Sequence, residues 1–182
     1  MTKVNFDFIA EMEGGPVLRG YVPDPEYSKS GVTIATGFDL GQCSEDDLIR
    51  LLPKGCELVN TLAPYCLLKK NKAVAALQAA PLRITSDDAH TIDQCVKQQK
   101  LAQLVERYNR ASELFFEQLP EPVQTVVASV AFQYGDLAKR CPLFWKAAIA
   151  GNTQAMVAEL NNFGDRYPSR RRREARYLAG TV

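Results

Sequence analysis

The chain has 182 residues, 46% of them hydrophobic, enough for one well-buried domain or two lobes sharing a long helix. With 22 Lys and Arg against 21 Asp and Glu, its net charge of +1 excludes a global field drawing it to nucleic acid or an anionic membrane. No apolar run approaches the roughly 20 residues that span a bilayer. Asp7, Glu11 and Glu13 inside the first apolar segment argue against a secretory signal peptide and for synthesis in a cytoplasm. The five cysteines (Cys43, Cys56, Cys66, Cys95, Cys141) are widely spaced, odd in number and without a CxxC pair, so they read as reduced, mostly buried thiols rather than a zinc site or a complete disulfide framework.

Phe6, Phe8, Ile9 and Met12 fall near helical spacing, and Gly14-Gly15-Pro16 stops the helix at about Glu13. From Val17 to Leu40 the helical period is lost, and glycines and prolines cut the chain into short extended pieces such as Arg19–Val22 and Val32–Ala35. These predict a small irregular sheet. Ser44 with Asp47 forms a capping box for SEDDLIRLL, which Pro53 and Gly55 close. Short helices follow at Glu57–Ala63 and over KNKAVAALQAA, and then Ser86, Asp87 and Asp88 open a long one toward Phe115, with a candidate break near Asn109–Ser112. Pro120 and Pro122 introduce PVQTVVASVAFQYG, apolar on nearly every face and therefore a central buried helix. Three more helices are predicted at Pro142–Ala150, Thr153–Phe163 and Ser169–Ala179.

The fold class expected is α+β, mainly α, in a single domain over 1–182: a small N-terminal β lobe (15–42), a larger helical lobe (1–14 and 86–182), connecting helices (43–85), and a cleft between the lobes.

Two carboxylates stand out. Glu13 ends a helix, where the partial negative charge of the C-terminus disfavours a second one and suits a carboxyl that stays protonated as a general acid. Asp39 lies in TGFDLGQ, where flanking glycines let the backbone approach a ligand, and Thr33 and Thr36 on the same segment could share a water with it. An acid on one side of a sugar bond and a held water on the other is the arrangement of an inverting glycoside hydrolase. Asp24, in GYVPDP, competes with Asp39 for the water side. The sole histidine, His90, sits in a polar helix start and reads as a surface residue. Neither a metal cluster nor a phosphate-cradling loop is expected, so no cofactor is implied. Arg166, Arg170, Arg171, Arg172, Arg173 and Arg176 crowd the last helix as a solvated face, of which one or two could reach a carboxylate.

Glu13-Gly14, Tyr21, the Thr33–Gly37 strand, AFQYG at Ala131–Gly135 and the ending from Tyr167 resemble the phage T4-type lysozymes. FDFIAEMEG with SGVTIATGFDLGQ is closer still to the pesticin-like muramidase domains of bacteriocins and type VI secretion effectors. The resemblance implies a lysozyme-like fold and hydrolysis of the β-1,4 bond between N-acetylmuramic acid and N-acetylglucosamine in the peptidoglycan glycan strand. It implies Glu13 as general acid, Thr33 as water-positioning hydroxyl and Asp39 as second carboxylate, with Tyr21, Gln133 and Arg170 at the substrate. In the phage enzymes the aspartate comes soon after the tyrosine, where Asp24 is displaced by Pro23, and their histidine is replaced by Phe38 here. It further implies a monomer acting as a toxin or effector in the cell wall or periplasm of a target bacterium after secretion or lysis, with an immunity protein as partner. A phage endolysin, a lytic transglycosylase using Glu13 alone, and a non-catalytic cell-wall-binding or inhibitor-binding module are the alternatives.

Overall fold

The computed structural model describes residues 1–180 and has an α+β, mainly α fold. By contacts the chain forms two compact units, Gly14–Gln99, and Met1–Glu13 together with the chain from Lys100 onward.

In the unit of Gly14–Gln99, three strands, β1 (Val17–Tyr21), β2 (Thr33–Ala35) and β3 (Phe38–Asp39), form an antiparallel sheet in the order β1-β2-β3. The β1–β2 register is irregular between Val17 and Tyr21. Its cause is visible on the other side of β1, where the Gly20 N–H donates to Leu82 O and Ile84 N–H to Leu18 O, drawing Leu18–Gly20 away from β2. Gly20 is small by necessity, since a Cβ there would lie 2.9 Å from the Leu82 Cβ. Behind the sheet pack α2 (Glu45–Leu51), α3 (Leu58–Leu62), α4 (Lys70–Ala79) and the first part of α5 (Ser86–Ala111), burying Val32, Ile34, Leu40, Leu48, Leu62 and Ile92 completely. The Ser44–Asp47 capping box closes reciprocally at the start of α2, and its hydrogen bonds hold the Asp47 carboxyl down at about 2.

In the other unit α1 (Phe6–Ala10) begins at the side-chain cap of Asn5. It ends three residues earlier than Glu13, because Met12 and Glu13 donate to Ile9 O and Ala10 O as tight turns instead of continuing the helix. α5 ends at Ala111, where Asn109 turns its side-chain oxygen onto the Phe116 N–H (2.7 Å). α6 (Glu121–Tyr134) is the central helix, bounded by Pro120 and Pro122 and by Gly135 at φ 74°. Its buried polar residues are all satisfied: Gln124 donates to Leu119 O, Thr125 to Glu121, and Ser129 to Glu174. Around it lie α7 (Leu137–Arg140), which the sequence analysis did not anticipate, α8 (Pro142–Ile149), α9 (Thr153–Asn161) and α10 (Pro168–Leu178).

Candidate active site

Glu13 is half-buried in the turn that follows α1, with its N–H on Ala10 O at 3.1 Å. The residues expected on the water side lie in the three-stranded sheet. Tyr21 stands opposite Thr33 across β1–β2, and Thr33 stands opposite Asp39 across β2–β3. Directly opposed residues of an antiparallel pair share a face with Cβ atoms about 5 Å apart, so the three side chains form one cross-strand row. The row runs from the exposed Tyr21 through the buried Thr33 to the half-buried Asp39.

Asp39 has a structural duty as well. Its Oδ1 accepts the backbone N–H groups of both Gly31 and Gly41 at 2.9 Å, and Oδ2 has no protein donor among the described residues. The two glycines cross backbone to backbone: a Cβ on Gly31 would stand 2.1 Å from Leu68 O and 2.5 Å from the Gly41 Cα. The carboxylate therefore staples a crossing that only glycine can make. Thr33 Oγ1 donates to Gly31 O at 3.3 Å, which leaves the hydroxyl lone pairs as acceptors.

Thr36 does not join this group. Its N–H and hydroxyl donate to the two oxygens of Asp93 on α5, at 3.1 and 2.7 Å. Asp93 thus pins the tip of the hairpin that carries Thr33 and Asp39, a role no local signal in the sequence announced. Asp24 is exposed in a turn with left-handed backbone, φ 43°, and its carbonyl accepts the Ser28 N–H. His90 is exposed on α5.

Gln133 and Arg170 belong to a buried charge cluster around α6. Arg170 donates Nε to Glu174 (3.2 Å) and Nη2 to Ser129 Oγ (3.0 Å). Arg171, 1% exposed, donates to Glu174, to Asp165 (2.8 Å) and to the Gln133 side-chain oxygen. Its guanidinium lies over the Tyr134 and Phe163 rings. Burial pushes Asp165 up, but hydrogen bonds from Tyr134, Arg171 and the Tyr167 N–H outweigh it and hold the carboxyl below its ordinary value. Burial and the bond to Asp165 drive the Tyr134 hydroxyl up to about 12. Arg173 pairs with Glu11, so at least three of the clustered arginines, Arg170, Arg171 and Arg173, reach carboxylates, more than the sequence analysis allowed. Successive residues on a helix point about 100° apart, and here carboxylates stand in several of those directions.

Glu174 and Asp165 were missed by sequence reasoning, although the Arg170–Glu174 spacing of i, i+4 is a local signal for the first. Gln133 also lines a cavity of about 640 Å³ within this unit.

A search of curated proteins returned no match. The family model Pesticin, described as a bacterial toxin homologue of phage lysozyme, C-terminal part, matches residues 3–154, a span that contains Glu13, Tyr21, Thr33, Asp39 and Gln133 and ends before Arg170. Matched over most of its length, the chain belongs to the pesticin family of bacterial toxin homologues of phage lysozyme.

Proposed function

We propose that the protein is a peptidoglycan muramidase that acts as an antibacterial toxin. The observation that carries this reading is the Tyr21–Thr33–Asp39 row, lying with Glu13 inside the span that matches the lysozyme-homologue family. A water that donates one O–H to Asp39 Oδ2 and the other to a Thr33 Oγ1 lone pair has its own lone pair left for the anomeric carbon. Asp39 takes the proton as the water attacks. Glu13 gives a proton to the departing glycosidic oxygen, and the configuration inverts. Tyr21 at the open end of the row, Gln133 and Arg170 are assigned to the glycan. The toxin acts in the wall of a target bacterium, where a producer's immunity protein would be its natural counterpart.

Turbidity clearing of isolated murein sacculi tests the reading. Glu13→Gln and Asp39→Asn each slow clearing by about 10²-fold or more, whereas Asp24→Asn leaves it within about twofold of wild type. Intact sacculi with wild-type protein, or a fully active Glu13→Gln, would refute it. Anhydro-muramyl ends in the products would show a transglycosylase instead.

A further inference from the structure

The second half of α5 carries Lys100, Gln103, Arg107 and Arg110 at i, i+3, i+7 and i+10, which places them along one face of the helix. At 1.5 Å per residue that face is about 15 Å long. It forms one wall of the 640 Å³ cavity, whose apolar floor includes Leu104, Phe132 and Trp145. The tryptophan is half-buried and held edge-on by Tyr108 at 5.8 Å.

The two arginines of this wall are only lightly committed. Among the described residues no carboxylate pairs with Arg107. Arg110 is bonded to Glu106 at 2.5 Å, an exposed i, i+4 pair that solvent screens. Asp136, the one carboxylate among the lining residues, faces Lys139 at 3.8 Å. A groove with three cations against one acid, on a chain whose net charge is +1, is a local field built where the whole molecule has none.

Two classes of polyanion fit such a wall. A polyphosphate or phosphodiester chain wants unbroken positive charge and gains nothing from an indole and two more apolar side chains in between. An acidic peptide alternates carboxylates with apolar side chains and uses both. We propose that this groove docks an acidic segment of a partner protein, its carboxylates on Arg107 and Arg110 and an apolar side chain seated against Leu104, Phe132 and Trp145. The docking does not depend on the catalytic reading, since none of its parts is an acid or base of the reaction.

Trp145 is the sole tryptophan and reports on the groove directly. The full chain is titrated with a blocked 12-residue peptide that places Glu at every third or fourth position between leucines and contains no aromatic residue. A saturable change in Trp145 emission is expected at low salt, weakening about tenfold or more as salt shortens the reach of exposed charges. Arg107→Glu with Arg110→Glu, or Arg107→Gln with Arg110→Gln should the first pair fold poorly, abolishes the change, and a lysine-leucine peptide never produces it. No saturable change, or equal binding by the double variants, overturns the proposal. Tighter binding of linear polyphosphate than of the acidic peptide also overturns it and assigns the groove to a phosphate polymer.

Discussion

Asp39 carries two duties on two oxygens, and substitution separates them. Asparagine keeps an Oδ1 acceptor for Gly31 and Gly41 but cannot take a proton, so Asp39→Asn should melt within about 1 kcal/mol of wild type while losing activity. Alanine strips both bonds from partly buried N–H groups, and Asp39→Ala should lose about 2–4 kcal/mol in urea unfolding as well as activity. A stable Asp39→Ala would show that the staple contributes little. Gly31→Ala tests the crossing itself. The methyl would meet the Leu68 carbonyl at 2.1 Å and the Gly41 Cα at 2.5 Å, backbone atoms that cannot rotate away. The expected loss is about 3 kcal/mol or more, above ordinary overpacking, read as a lower urea midpoint. Gly37→Ala is strained for a different reason, its φ of 83°, with open space around the added carbon. None of this is visible in TGFDLGQ as a string, because the partner glycine lies ten positions earlier.

Between elements, α10 is fastened to α6 through charge rather than apolar contact alone. Glu174, fully buried, accepts from Ser129 on α6 and from Arg170 and Arg171 on its own helix. Removing one member leaves the others buried without a counter-charge, so breaking the cluster costs about 3–5 kcal/mol, much more than the cluster is worth against an apolar replacement. The Tyr134–Asp165 bond gives this region a pH signature. A hydroxyl whose folded value stands at about 12, against 10 unfolded, stabilises the protein fully below pH 10 and loses that contribution as pH rises toward 12. Tyr134→Phe should therefore be less stable than wild type at pH 8, with the gap in thermal midpoint closing between pH 10 and 12. A constant gap across that range would assign the effect to packing. Apart from α7, the helices were legible from the sequence, since prolines, glycines and the Ser44–Asp47 box act within a turn of where they stand. Glu13 fell outside α1 because a two-glycine stop fixes only the region in which a helix must fail, and the final turn tightened before it.

For the molecule as a whole, charge and thiols follow from where each unit is closed to water. Burial pushes the thiols of Cys43, Cys66, Cys95 and Cys141 up, Cys66 to about 11, so at neutral pH little thiolate is present at these four. Ellman titration at pH 8 should find them slow in the native protein and fast in urea, by about 10²-fold, and native reactivity at the denatured rate would contradict the burial. No helix among the described residues is long and apolar enough to cross a membrane.

The sequence by itself determined most of the helices and strands, α7 excepted, and carried the resemblance to the lysozyme-homologue family that the family model bears out. Those signals are short-ranged: a cap, a proline or a motif acts on neighbours along the chain. Only the tertiary structure decided that Tyr21, Thr33 and Asp39 share one row, that Asp39 staples a glycine crossing, that Asp93 holds Thr36, and that Glu174 rather than solvent receives Arg170 and Arg171. Each of these joins residues across a fold, where register and packing select the partner from many of the same type.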